Sequence, residues 1–241
     1  MSSEENKEET FISHISALRS TLLKCLWAIV IVLPFTFYFA PKILDLLIKI
    51  ITSSSPVKLN YFHPVEVFMI QIKIALVIDL IICFPYIAKQ LWNFILPALY
   101  DHERKPLKTI LLVSCGLFTT GVGFSLFVIL PLIISFGLSF ATANIQPMLR
   151  ISDIINLVLW MSIVFGLMFQ IPVLTYYLIK SDVISYETIA DKRPYVIVLL
   201  LIISAFLTPP DIISQLVLCI PTYLLFETGL LVSKFKKNRI Q

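Results

Sequence analysis

Charge is scarce in this chain, and the scarcity excludes an ordinary soluble fold. Only 14% of its 241 residues are charged, while 58% are hydrophobic; a soluble domain of this size carries about 25% charged and about 45–50% apolar residues. The excess apolar surface is meant for lipid. Chemistry-bearing motifs are equally thin. The four cysteines, Cys25, Cys83, Cys115 and Cys219, all fall inside apolar runs with no CxxC pair, so they read as small buried hydrophobes rather than redox or metal groups. His102-Glu103 is followed by Arg104, Lys105 and Pro106, so no HExxH metal pair exists. There is no GxSxG nucleophile elbow and no nucleotide-binding P-loop. These absences point away from an enzyme, a metal site or a cofactor, and a net charge of +4 is too small to speak for nucleic acid. No internal repeat supports an inverted-repeat transporter.

What is present is long apolar runs. They cover residues 22–40, 67–88, 109–134, 154–179, 195–207 and 212–232. At 1.5 Å per residue all but the fifth can cross a hydrocarbon core of about 30 Å; the fifth reaches only about 20 Å. The expected fold is therefore all-α, a polytopic membrane protein of six transmembrane helices. The alternative for the last two runs is one re-entrant hairpin. Residues 1–21 form an N-terminal tail, 22–233 the membrane domain and 234–241 a basic C-terminal tail. The acidic start, with Glu4, Glu5, Glu8 and Glu9, and Pro41 after the first run do not fit a cleaved secretory signal.

Lysine and arginine near helix ends set the orientation. Fourteen flank one side, among them Arg19, Lys89, Arg104, Lys180, Arg193 and Lys234; four, Lys42, Lys49, Lys58 and Arg150, flank the other. Both termini are thus expected in the cytoplasm. On the outer side Lys42, Asp45 and Lys49 recur at helical spacing opposite Leu44, Leu47, Ile48 and Ile51, which predicts a separate short helix in the interface. Ser152 is the expected N-cap of the fourth membrane helix. Prolines 34, 85, 131, 172 and 221 each remove a backbone donor and predict a kinked, curved bundle. Gly116, Thr119, Thr120 and Gly123 form small-xxx-small pairs that predict a close helix contact.

Among the polar side chains inside the apolar runs, Lys73, Asp79, Gln170 and Glu227 are the candidates for an intramembrane polar cluster. Each is expensive in lipid and is expected to face a partner or a wet cavity. Lys73 lies seven residues after Glu66 and can snorkel toward it. Lys234, seven residues after Glu227, can neutralise that carboxylate. Gln170, just before Pro172, can bond the carbonyls the proline frees, or a group on a substrate helix.

Several segments taken together resemble one family. They are QLWNFILPALYDHERK from Gln90 to Lys105, FGLMFQIPV from Phe165 to Val173, DKRPYV from Asp191 to Val196, LTPPDIISQ from Leu207 to Gln215 and IPTYLLFETG from Ile220 to Gly229, with HISALR from His14 to Arg19 matching in part. In order and spacing they are similar to the TatC family of twin-arginine protein translocases, over roughly residues 14–233. The resemblance implies a receptor that binds twin-arginine signal peptides at the cytoplasmic face. It implies single-helix TatA- and TatB-like partners, a homo-oligomer within the translocase, and movement of folded proteins driven by the proton-motive force. It implies a bacterial cytoplasmic membrane, with an organellar inner or thylakoid membrane as the alternative.

The family's loop glutamate falls on Glu103, and a carboxylate at the inner surface is what paired guanidinium groups need. Arg19, Phe94, Asp101, His102 and Arg104 complete the implied signal-peptide site. Trp92 and Phe94 either pack the signal's apolar part or anchor in the interface. Gln170, Pro172, Asp211, Gln215 and Glu227 are the implied intramembrane and partner contacts, Asp211 and Gln215 also being expected to cap the sixth helix. Two positions depart from the family pattern. Ala17 stands where the opening motif usually has glutamate, so Asp101, an acid of the N-tail, or Glu103 alone must serve. Gln170 stands where many members have glutamate. A small-solute transporter or channel is the competing function; it would need a polar stripe through the bundle, and only scattered polar residues are visible.

Overall fold

The computed structural model describes residues 2–54, 59–99, 107–140, 148–181, 183–207 and 212–237. These are almost wholly helical, as the apolar runs require, because a chain in lipid must satisfy every backbone donor and acceptor within itself. The elements are α1 (Ser2–Ser54), β1 (Leu59–Asn60), α2 (Pro64–Leu99), α3 (Leu107–Phe124), a π-helical turn (Ser125–Ile129), α4 (Leu130–Leu138), β2 (Leu149–Arg150), α5 (Ile151–Met168), α6 (Ile171–Lys180), α7 (Tyr186–Asp191), α8 (Arg193–Leu207) and α9 (Ile212–Lys237). Among the described residues five stretches are long and apolar enough to cross a membrane: Ile15–Ser53, Val65–Phe94, Lys108–Leu138, Ile151–Lys180 and Gln215–Lys234. The sixth, Arg193–Phe206, is short, as expected. Helix α1 packs along α2, α3 lies against α2 and α5, and α9 closes on α6 and α8.

Helix α1 corrects one expectation. The stretch around Lys42–Ile51 is not a separate interfacial helix; α1 runs unbroken through Pro34 and Pro41 for 53 residues, about 80 Å. The reason lies in packing. A proline costs one helical bond, whereas continuing the helix buries Leu44, Leu47 and Ile51 in one cluster with Ile70 and Ile74 of α2, Leu130 and Ile134 of α4, and Ile151 and Ile155 of α5.

The prolines act unequally. Pro172 follows the break at Phe169–Gln170, where α5 ends and α6 begins. Pro131 follows the π-turn, in which the Leu130 amide reaches back to the Ser125 carbonyl; the wider turn relieves the crowding a proline ring imposes on the carbonyl four residues earlier. Pro34 and Pro221 sit inside continuous helices.

The glycine contacts also differ from expectation. A Cβ on Gly116 or Gly123 would meet nothing within 4 Å, and Thr119 and Thr120 are exposed. That face makes no close contact among the described residues. The close approach of α3 to α5 uses Gly121 and Gly166 instead: a Cβ on Gly121 would lie 2.6 Å from the Phe165 carbonyl oxygen, and one on Gly166 would lie 2.6 Å from the Phe118 ring. Phe118 in turn stacks on Phe84 of α2, centroids 3.7 Å apart. The small residues that matter are those opposite bulky partners, and spacing along one helix does not identify them.

At one end of the bundle the two-residue strands β1 and β2 pair in parallel, Leu59 with Leu149 and Asn60 with Arg150. The buried Glu66 carboxylate accepts from Arg150 Nε at 2.8 Å and from the Phe62 amide at 3.1 Å. Arg150 lies over the Phe62 ring at 5.8 Å. The Glu66 hydrogen bond lifts the Arg150 guanidinium above its already high ordinary range, so it stays cationic. Glu66 is therefore taken, and Lys73 does not snorkel to it: Lys73 Nζ donates to Asn156 Oδ1 of α5 at 3.0 Å. Ser152 is not the N-cap either. The cap is Arg150, in an extended conformation and without a side-chain cap bond.

Candidate functional site: polar groups between the helices

The polar residues inside the spans are drawn into specific bonds between elements. Gln170 lies at the break between α5 and α6, and its Nε2 donates to the Ser114 carbonyl oxygen of α3 at 3.0 Å. The expected bond to a proline-freed carbonyl is thus replaced by one that crosses to another helix. The physical reason is the turn at Phe169–Gln170, which aims the side chain out of its own helix.

Glu227 of α9 is neutralised by Arg193, not by Lys234. Arg193 Nη2 reaches Glu227 Oε1 at 2.6 Å and Nε reaches Oε2 at 3.1 Å, the forked geometry that favours arginine over lysine. Arg193 opens α8, so this pair ties α8 to α9. Sequence reasoning used Arg193 only as an orientation charge. The missing signal was depth: a residue at the start of a short helix lies level with a carboxylate well inside a longer neighbour.

Gln215 makes the same kind of link one level away. Its Nε2 donates to the Leu201 carbonyl of α8 at 2.8 Å, so it braces α8 against α9 rather than capping α9. Asp211, the other expected cap, lies outside the described residues. So do Asp101, His102, Glu103 and Arg104.

Two flanks of that inner loop are described. Phe94 is half-buried on the last turns of α2. Trp92, two residues earlier, points into the bundle rather than to the surface. It is buried against Tyr177, centroids 5.4 Å apart, in a cluster with Ile110 and Val173. Arg19 is exposed on α1, where Ile15, Ser16, Ser20, Leu23, Lys24 and Trp27 line a shallow depression with it. The structure thus brings Glu227 to Arg193, Gln215 to Leu201 and Gln170 to Ser114, each as a brace between helices.

Apolar helices of membrane-crossing length, held together by a few polar bonds between them, define a polytopic integral membrane protein. Comparison with known proteins makes this specific. The sequence model of the Sec-independent protein translocase protein (TatC) family matches residues 13–221, and the chain belongs to that family. Among its relatives, the translocase protein TatC of Aquifex aeolicus is 37% identical over 234 residues, covering 95% of this chain and 97% of the relative. The TatC of Escherichia coli K12 is 35% identical over 232 residues, covering 94% and 89%. A crystal structure of the twin-arginine translocase receptor TatC superimposes with a TM-score of 0.84 at 36% identity, covering 92% of this chain and 98% of that one.

Proposed function

We propose that this chain is the core receptor of a twin-arginine translocase, binding twin-arginine signal peptides and helping to move folded proteins across a membrane at the expense of the proton-motive force. The observation that carries the reading is the fit to the twin-arginine translocase receptor along almost the whole chain at 36% identity. In this reading both termini and the 234–241 tail face the cytoplasm. TatA- and TatB-like single-helix subunits and further copies of the chain complete the complex. The membrane is the bacterial cytoplasmic one, in keeping with the bacterial relatives. No catalytic residue or cofactor enters the reading; the chain's part is to bind and to position.

The signal is gripped at the inner surface. Glu103 supplies the principal carboxylate for the paired arginines, Asp101, His102, Arg104 and Arg19 contribute to the same site, and Phe94 meets the signal's apolar part. Gln170, Pro172, Asp211, Gln215 and Glu227 shape the walls against which partner helices seat. The test is export of a folded reporter with a twin-arginine signal in cells lacking their own TatC. Rescue by this chain is the expected result, and failure despite normal membrane insertion overturns the reading. Within it, Glu103→Gln weakens signal-peptide crosslinking far more than Asp101→Asn; equal effects would remove Glu103 as the main contact.

A further inference from the structure

Lys73 is a charge the fold has left half-answered. It sits on α2 within a membrane-crossing stretch, yet its side chain is exposed. One N–H bonds Asn156 Oδ1 at 3.0 Å; an ammonium has three. No carboxylate pairs with it among the described residues, the two ion pairs there being Glu66 with Arg150 and Glu227 with Arg193. The Glu66 oxygens are occupied by Arg150 and the Phe62 amide, and Asp153 of α5 acts on Arg150. An unpaired lysine in hydrocarbon costs about 2.5–3.5 kcal/mol on the insertion scale, which an opposite charge offsets.

The surroundings narrow the choice of anion. Asn156 lies six residues beyond Arg150, so the bonded ammonium is held about 9 Å deeper than the Glu66–Arg150 pair. A phosphate at the level of that pair is out of reach while the Asn156 bond holds. The adjoining surface is apolar and open: Met69 and Leu76 share the Lys73 face of α2, Trp160 follows Asn156 by one turn of α5, and their exposures are 51%, 46% and 61%.

We propose that the Lys73–Asn156 junction is a docking site, within the bilayer, for a single transmembrane helix that carries a carboxylate about two turns from the same membrane face. The carboxylate takes the free ammonium donors, and the helix covers Met69, Leu76 and Trp160. A polar contact of this kind joins helices in lipid, where apolar surface alone gives no preference. The site stands on its own geometry and does not depend on the translocase reading.

The test uses the full-length chain in phosphatidylcholine vesicles with Leu76→p-benzoylphenylalanine as photocrosslinker. The probes are synthetic Leu/Ala helices of about 21 residues, identical except for Glu, Gln or Leu at the matching depth. The Glu helix is expected to crosslink about tenfold more than the Gln or Leu helix, the factor a charge-assisted hydrogen bond supplies. The preference should vanish in Lys73→Gln and persist in Lys73→Arg. It should survive addition of phosphatidylglycerol. Equal yields from the three helices overturn the site, and so does a preference that outlives Lys73→Gln. Loss of the preference on adding phosphatidylglycerol also overturns it, by giving the ammonium to a lipid headgroup. Because the three helices are compared on the unsubstituted lysine, the result stands even if Lys73→Gln folds poorly.

Discussion

Gln170 Nε2 reaches the Ser114 carbonyl oxygen, 3.0 Å away on another helix, and so closes the break between α5 and α6 against α3. An interhelical bond of this sort contributes about 0.6 kcal/mol on average in lipid. Gln170→Leu should therefore lower the melting temperature in detergent by roughly 1–3 °C. An unchanged melting temperature for Gln170→Leu would show that this bond contributes nothing to the fold.

The glycine pair makes a sharper contrast. The Cβ of Gly121→Ala would lie 2.6 Å from the Phe165 carbonyl oxygen, and a helix backbone cannot yield the way a side-chain tip can. Overpacking of this kind costs about 1–3 kcal/mol. Gly116→Ala and Gly123→Ala, with nothing within 4 Å, should melt at or slightly above the parent temperature, since alanine favours the helix by about 0.8–1.0 kcal/mol. Similar losses at all three positions would show that the Gly116 face is also packed.

Most of the helical layout was legible in the sequence because run length against bilayer thickness is a one-dimensional test. Tertiary partners were not. Pro41 suggested an end to the first helix, but burial of Leu44, Leu47 and Ile51 outweighs one lost bond. The i, i+7 spacing of Glu66 and Lys73 placed them on one face, yet Arg150, from the second loop at that end, holds the carboxylate first. Small-residue spacing named Gly116 and Gly123, while the contact falls on Gly121, whose partner, Phe165, is 44 positions away in the chain. Of the implied site, Gln170, Gln215 and Glu227 proved to be polar braces, each with a partner that no spacing rule on its own helix could reveal.

The Arg193–Glu227 fork should couple α8 to α9. A partly exposed, bidentate pair contributes about 1 kcal/mol at most, so the informative measurement is a double-mutant cycle. Arg193→Gln and Glu227→Gln should each lower the melting temperature, and the double variant should lose less than the sum. Arg193→Lys should recover only part, because a lysine cannot form two parallel bonds. Strict additivity would show that the two residues stabilise the fold separately.

Asp79 is a fully buried carboxylate, 0% accessible; one oxygen accepts only from the Cys83 thiol at 3.5 Å, and the other has no partner among the described residues. Residues 25–41 of α1, 109–138 of α3, the π-turn and α4, and 154–179 of α5 and α6 contain no charged side chain. Nothing on the helices that pack against α2 therefore answers a carboxylate at this depth, and an unanswered buried polar group costs about 1–3 kcal/mol. Asp79→Asn, of nearly the same shape and without charge, should raise the melting temperature by a few degrees. Cys83→Ser, which supplies a stronger donor to the same oxygen, should move it the same way. A clear fall for Asp79→Asn would show instead that the carboxyl group makes a stabilising bond the amide cannot replace.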